Sequence, residues 1–291
     1  MLLDGKVAVV TGSGLGIGRA HAIALAQVGA CVVVNSRTAN DVESVVEKIR
    51  RDGGRAEGCV ASVAQRDGAQ RIIQTAIDRF GRIDILVNNA GINRRGALVD
   101  ISEQDFDEII AINLKGQFLC AKAAVPHMIK HRWGRIINMS TNAVGGSRNG
   151  AAYAAGKAGA LGLSLSWALE LAEYGITCNA IRAHAYTRMT QKSAERARQT
   201  SQAGGTLPRD LSYYLLPPDA ASPLVVFLAS DDSSGITGQF LGIDGSRLTL
   251  YSRIRPMSVA IMPNGWTVEL LQKHFNTTVG RQFDNYNLSL S

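Results

Sequence analysis

Lys6-Val7-Ala8-Val9-Val10-Thr11-Gly12-Ser13-Gly14-Leu15-Gly16-Ile17-Gly18 is the stretch that decides the fold, and it runs straight into RAHAIALAQVGA, residues 19 to 30. Its first five residues form a short apolar run, the pattern of a strand buried on both faces. The glycines that follow allow a tight turn and let backbone approach a ligand closely. The next run has the periodicity of a helix, whose free N–H groups and positive dipole end attract an anion. Strand, glycine turn and helix in this order make a site for a dinucleotide pyrophosphate, with Gly12, Ser13, Leu15, Gly16, Ile17 and Gly18 as its contacts.

Working outward, six more apolar runs predict strands: CVVVN (31 to 35), RAEGCV (55 to 60), IDILV (83 to 87), RIINM (135 to 139), ITCNAI (176 to 181) and QFLGID (239 to 244). Helical patterns fall between them, over about 16 to 28, 39 to 52, 67 to 80, 102 to 130, 151 to 173 and 219 to 230. Ser102-Glu103-Gln104-Asp105 has the form of a capping box at the start of the fourth helix. Regular alternation of strand and helix means a parallel sheet covered on both faces. The expected fold is therefore α/β, a doubly wound seven-stranded parallel sheet of the Rossmann type, as one domain over residues 1–250. Within it the polar stretch 184–218, ending in Tyr213-Tyr214-Leu215-Leu216, is expected to form a lid. Residues 251–291 form a C-terminal extension, with a short helix expected over 266 to 275.

The 291 residues hold 31 basic and 24 acidic side chains, a formal charge of +7, but the cations are scattered and no basic run marks a nucleic-acid surface. Cys31, Cys59, Cys120 and Cys178 lie far apart in apolar surroundings and read as buried thiols. His21, His127, His131, His184 and His274 show no metal-ligand spacing, so no metal is expected. The sequence shows neither a secretory leader nor a membrane-spanning run, and a cytoplasmic protein is expected.

Tyr153 and Lys157 stand four apart in AAYAAGKAGALGL, so both emerge on one helix face. A free phenol, with a pKa near ~10, is a poor base. A neighbouring ammonium favours the phenolate and brings it toward working range. Ser140 ends the fifth strand, where ligands gather in open α/β sheets, and its hydroxyl can steady charge on a substrate oxygen. TGxxxGxG at Thr11 to Gly18, Asn88-Asn89-Ala90-Gly91 after strand four, and Asn113, Ser140, Tyr153 and Lys157 in order resemble the short-chain dehydrogenase/reductase family over residues 5 to about 245.

The resemblance implies hydride transfer between NAD(P) and a secondary alcohol or ketone, with Asn113, Ser140, Tyr153 and Lys157 as the catalytic set. Asn113 would hold a water linking Lys157 to solvent. It also implies dinucleotide contacts from Asn89, Ala90, Gly91, Tyr153, Lys157 and Thr187, and a homo-oligomer, dimer or tetramer, built on the helices at 102 to 130 and 151 to 173. At the end of strand two, Asn35-Ser36-Arg37 carries no carboxylate to repel a 2′-phosphate, and Arg37 can pair with one. Ser62-Val63 stands where the family has Asp-Val after strand three. Ser36, Arg37, Ser62 and Val63 thus point to NADP, with NAD as the alternative. After strand six the family's Pro-Gly is replaced by Arg182-Ala183-His184, in a loop shorter by one residue, while Thr187 keeps the carboxamide position. This loop is similar to that of hydroxyacyl-CoA and 17β-hydroxysteroid dehydrogenases. The apolar lid end favours a hydrophobic small-molecule substrate such as a hydroxysteroid. A 3-hydroxyacyl-CoA or 3-oxoacyl thioester is the alternative. A catalytically silent NADP-binding sensor is the reading from another class, and the intact Ser140, Tyr153 and Lys157 argue against it.

Overall fold

Alternate residues of the strand Val7–Val10 (β1) face opposite sides, as a pleated strand requires. Ala8 and Val10 join one core, Val7 and Val9 the other. The remaining strands are β2 Cys31–Ser36, β3 Arg55–Val60, β4 Ile85–Asn88, β5 Gly134–Met139, β6 Ile176–Ala183, β7 Phe240–Asp244 and β8 Arg247–Leu250. The helices are α1 Gly16–Gln27, α2 Ala39–Arg51, α3 Arg66–Phe80, α4 Glu103–Ile110, α5 Gly116–His131, α6 Ala151–Glu170, α7 Gln191–Gln202, α8 Ser222–Ala229 and α9 Val268–His274. The computed structural model describes residues 1–202, 204, 215–252, 258–263 and 265–279.

The sheet runs β3-β2-β1-β4-β5-β6-β7-β8, with β1 to β7 parallel. One core packs β-strand residues such as Val32, Val34 and Ile85 under α1, α2 and α8; the other packs Val33, Leu86 and Ile136 under α3 and α5. Each fully buried side chain of this size stabilises the fold by roughly 1.5–3 kcal/mol, so the sheet forms a rigid floor for whatever its carboxyl ends carry. All four cysteines are buried and unpaired, as their apolar surroundings imply.

The structure departs from the sequence reading in three places. An eighth strand pairs antiparallel with β7 through the two-residue turn Gly245-Ser246, Gly245 having φ +62°. Asp244-Gly245 is a hairpin signal, but the strand it starts is short and exposes Leu248 and Leu250, so no buried run announces it. The predicted helix over 102 to 130 begins as expected, Ser102 Oγ accepting from the Asp105 N–H at 3.1 Å, but it is interrupted by a π-helical turn at Ala111–Lys115. The expected lid contains α7, whose polar sequence hid it; Tyr213 and Tyr214 lie outside the described residues.

Met1–Tyr251 and Ser252–Ser291 form two separate compact units. The second contains α9, capped by Thr267, whose Oγ1 accepts from the Leu270 N–H at 3.2 Å. Among the described residues no helix is long and apolar enough to cross a membrane.

Candidate active site

The glycine turn is locked to two neighbouring strands. Ser13 donates its hydroxyl to the Val10 carbonyl at 2.6 Å and its N–H to the Asn35 carbonyl at 2.7 Å, and it accepts from the Asn35 N–H at 2.9 Å. Asn35 in turn donates to the Cys59 and Ala61 carbonyls, both at 3.0 Å, and accepts from the Gly12 N–H at 3.3 Å. On the other side Thr11 Oγ1 accepts from the N–H groups of Asn89 and Ala90, while Asn89 Nδ2 donates to the Thr11 and Gly12 carbonyls.

Glycine is required where these turns touch. A Cβ on Gly12 would lie 2.7 Å from Ala90 Cα, and one on Gly18 would lie 2.3 Å from Asn89 Nδ2. Helix α1 then begins without a side-chain cap and without an acidic residue in its first turn. Its N–H groups and positive end are left open to an anion, so the residues present fit a dinucleotide pyrophosphate.

At the carboxyl ends of β4 and β5 the four expected catalytic residues come together with Gly91. Lys157 Nζ lies 6.0 Å from the Tyr153 ring centroid and donates to the Met139 carbonyl at 2.7 Å. Ser140 Oγ donates to the Lys157 carbonyl at 3.0 Å. Asn113 sits in the π-helical turn, where its side chain pairs with the backbone of Ile92, accepting from the N–H at 2.8 Å and donating to the carbonyl at 2.9 Å. A Cβ on Gly91 would lie 3.3 Å from Asn113 Oδ1 and 3.6 Å from Lys157 Nζ, so its absence leaves the lysine uncrowded.

The electrostatics differ from the sequence expectation. Burial pushes the Tyr153 phenol up from its ordinary value and brings the Lys157 ammonium down to about 8. The ammonium does not offset the phenol's desolvation, because Lys157 is itself fully enclosed and its Nζ turns to Met139. The phenol therefore holds its proton at neutral pH.

Around the cofactor end, Gly14 faces Ser36 and Asp41. A Cβ there would stand 2.7 Å from Asp41 Cβ and 3.0 Å from Ser36 Cβ. Arg37 is exposed beside them. Ser62 Oγ accepts from the Ala64 N–H at 3.3 Å, and Val63 is buried against Gly116. Leu15 is exposed at the start of α1 and Ile17 packs partly against the core. Thr187 reaches the glycine turn, its Cγ2 3.3 Å from where a Gly16 Cβ would lie, and its N–H donates to Thr190 Oγ1 at 2.8 Å. Where the Pro-Gly is missing, Arg182 forms a buried ion pair with Asp244 at 2.6 Å, tying β6 to β7.

Sequence reasoning missed Asn35 as the bracket of the turn, Asp41 beside it, Thr190 under Thr187, and Gln117, whose Nε2 donates to the Asn113 carbonyl at 2.8 Å. A polar residue after CVVV, or in the apolar run of α5, was the available signal.

The sequence model of a family described as short chain dehydrogenase matches residues 6–198. The 3-oxoacyl-[acyl-carrier-protein] reductase FabG of Thermotoga maritima is 40% identical over 248 residues, covering 84% of this chain and 98% of its own length. The peroxisomal multifunctional enzyme type 2 of Drosophila melanogaster is 38% identical over 90% of this chain, which spans 42% of that protein. The crystal structure of a short chain dehydrogenase from Mycobacterium avium superposes with a TM-score of 0.82 at 35% identity, covering 96% of each chain. The chain thus belongs to the short-chain dehydrogenase/reductase family, as an oxidoreductase acting on CH–OH and keto groups.

Proposed function

We propose that this protein reduces 3-oxoacyl thioesters to 3-hydroxyacyl thioesters with NADPH. The observation that carries the substrate class is the near full-length likeness, at 40% identity, to reductases named for 3-oxoacyl groups on acyl carrier protein. The named relatives thus favour a thioester over the hydroxysteroid that the apolar lid suggested.

The site supports reduction. A phenol raised by burial is protonated at neutral pH and is a donor to a developing alkoxide, as a general acid must be. Bound NADPH supplies the hydride to the carbonyl carbon. Tyr153 delivers its proton to the oxygen, and Ser140, turning its hydroxyl from the Lys157 carbonyl, holds that oxygen meanwhile. Lys157, with a pKa of about 8, carries a proton it can pass to Tyr153. Thr187 would orient the nicotinamide end and the glycine turn would hold the pyrophosphate. NADPH is favoured because β2 ends at Ser36 and is followed by Arg37, with no carboxylate at either position. Exposed Phe106, Phe118 and Leu169 on α4, α5 and α6 support assembly into a homo-oligomer through those helices.

The test follows reduced-nicotinamide absorbance with NADPH and NADH against acetoacetyl-CoA, longer 3-oxoacyl thioesters and ketosteroids. Thioesters with NADPH should turn over fastest, and a ketosteroid outrunning them would overturn the substrate reading. Tyr153→Phe should abolish turnover while keeping dinucleotide binding. Unchanged turnover in that variant would remove Tyr153 as the acid.

A further inference from the structure

Gln117 is 2% exposed on α5, facing the sheet, a position where an apolar residue would satisfy the fold alone. A buried amide costs free energy unless its groups are paired. Its Nε2 is paired twice, with the Asn113 carbonyl at 2.8 Å and the Met139 carbonyl at 3.4 Å. Its Oε1 has no hydrogen-bond partner, and neither has the buried Oδ1 of nearby Asn88, whose Nδ2 donates to the Gln117 main-chain carbonyl at 3.4 Å. The amide is thus held for its donor, at the cost of its acceptor. Both carbonyls it grips matter to the site. Asn113 lies in the π-helical turn, a local distortion that concentrates at functional positions. Met139 O is the acceptor of the Lys157 ammonium.

We propose that Gln117 is a positioning residue that sets the height of Lys157 beneath Tyr153 by clamping the π-helical turn to the end of β5. This rests on the reading of Lys157 as the group that supplies Tyr153 with its proton. Gln117 Nε2 and Lys157 Nζ approach the same oxygen from 3.4 and 2.7 Å, so they stand within about 6 Å of each other, a range over which an introduced charge shifts a titration. Among the described residues no other charge acts on Lys157. Its own helix presents the Tyr153 phenol, β5 the Met139 carbonyl and Ser140, the π-helical turn Asn113, and the turn after β4 Gly91. Burial is the sole cause of its lowered pKa.

The test uses the full chain and two variants, Gln117→Met, which keeps volume and removes the donor, and Gln117→Glu, which adds a carboxylate. Lys157 is titrated in the apoprotein by nitrogen-15 NMR of its side chain, and kcat and KM are measured against pH. Gln117→Met is expected to lower kcat about tenfold with KM within twofold. Gln117→Glu is expected to raise the Lys157 midpoint by about one pH unit, because an opposite charge favours the protonated form, and to move the basic limb of the kcat profile up with it. A merely structural glutamine would lower thermal stability in Gln117→Met and leave its Lys157 midpoint, kcat and pH limb in place, which would overturn the proposal. If the Lys157 midpoint moves in Gln117→Met while the wild-type protein turns over no ketone, the positioning role stands and the proposed function fails. Should Gln117→Met not fold, the plateau kcat of Gln117→Glu, which also lacks the donor when ionised, decides: a loss of about tenfold supports the proposal and an unchanged value overturns it.

Discussion

Lys157 should make the protein more stable as the solution becomes alkaline, and Lys157→Met should erase that gain. The side chain is 3% exposed and its ammonium is brought from 10.5 to about 8 by burial. A difference of that size corresponds to about 3 kcal/mol of penalty on the charged form in the folded state. Below pH 8 the folded and unfolded chains both carry the proton, and the folded chain bears the whole penalty. Between pH 8 and 10.5 the unfolded chain binds a proton that the folded chain has released, so stability rises with pH. At neutral pH that penalty stands net of the bond to the Met139 carbonyl, at 2.7 Å, which stabilises the charged form. The variant should therefore be the more stable of the two at pH 7, by no more than about 3 kcal/mol. Urea unfolding of both proteins is the assay. The wild type should gain about 2 to 3 kcal/mol on the variant between about pH 7 and about pH 10. Parallel stability curves across that range would refute the buried-ammonium reasoning, whatever the variant does to turnover.

Three further outcomes follow from contacts elsewhere. Asp84 is fully buried, accepts from the Val7 N–H at 2.8 Å and from Arg82 through both oxygens, so Asp84→Ala should cost about 3 kcal/mol in urea unfolding, and a loss below about 1 kcal/mol would contradict its role in joining β1 to β4. Gly18→Ala puts a methyl 2.3 Å from Asn89 Nδ2 and 2.5 Å from the Gly12 carbonyl. Dinucleotide affinity measured by calorimetry should fall at least about tenfold, and an unchanged Kd would show that the turn can yield. Arg37→Ala should weaken NADPH about tenfold and leave NADH within about twofold, as expected for loss of one phosphate partner; equal effects on both would place Arg37 outside the 2′-phosphate site.

The parallel sheet was legible because β1, β2, β4, β5 and β6 are buried almost throughout on both faces and are rich in apolar residues. What escaped was structure whose stability comes from elsewhere. β8 has exposed leucines and is held by a hairpin turn and by pairing with β7. The π-helical turn keeps the overall helical path, so the apolar period passes through Ala111–Lys115 without a visible break. Helix α7 has little apolar content for periodicity to detect. In each case the deciding interaction is a backbone bond, and side-chain periodicity does not record it.

The candidate site divides along a similar line. Residue types and spacing place Tyr153 and Lys157 on one helix face, and the structure has them there. Spacing says nothing of depth, and depth sets the sign of both pKa shifts. A lysine at the surface beside a phenol would lower its pKa; a fully enclosed lysine is itself driven toward neutrality, and the half-buried phenol rises. The protein alone thus leaves the proton on the tyrosine, which suits donation to a ketone. Abstraction from an alcohol needs a further positive charge near the phenol, beyond anything these side chains provide. Reduction should for that reason persist to lower pH than oxidation when both directions are assayed on one substrate pair, and coincident pH profiles would mean that the electrostatics of these side chains do not govern the reaction.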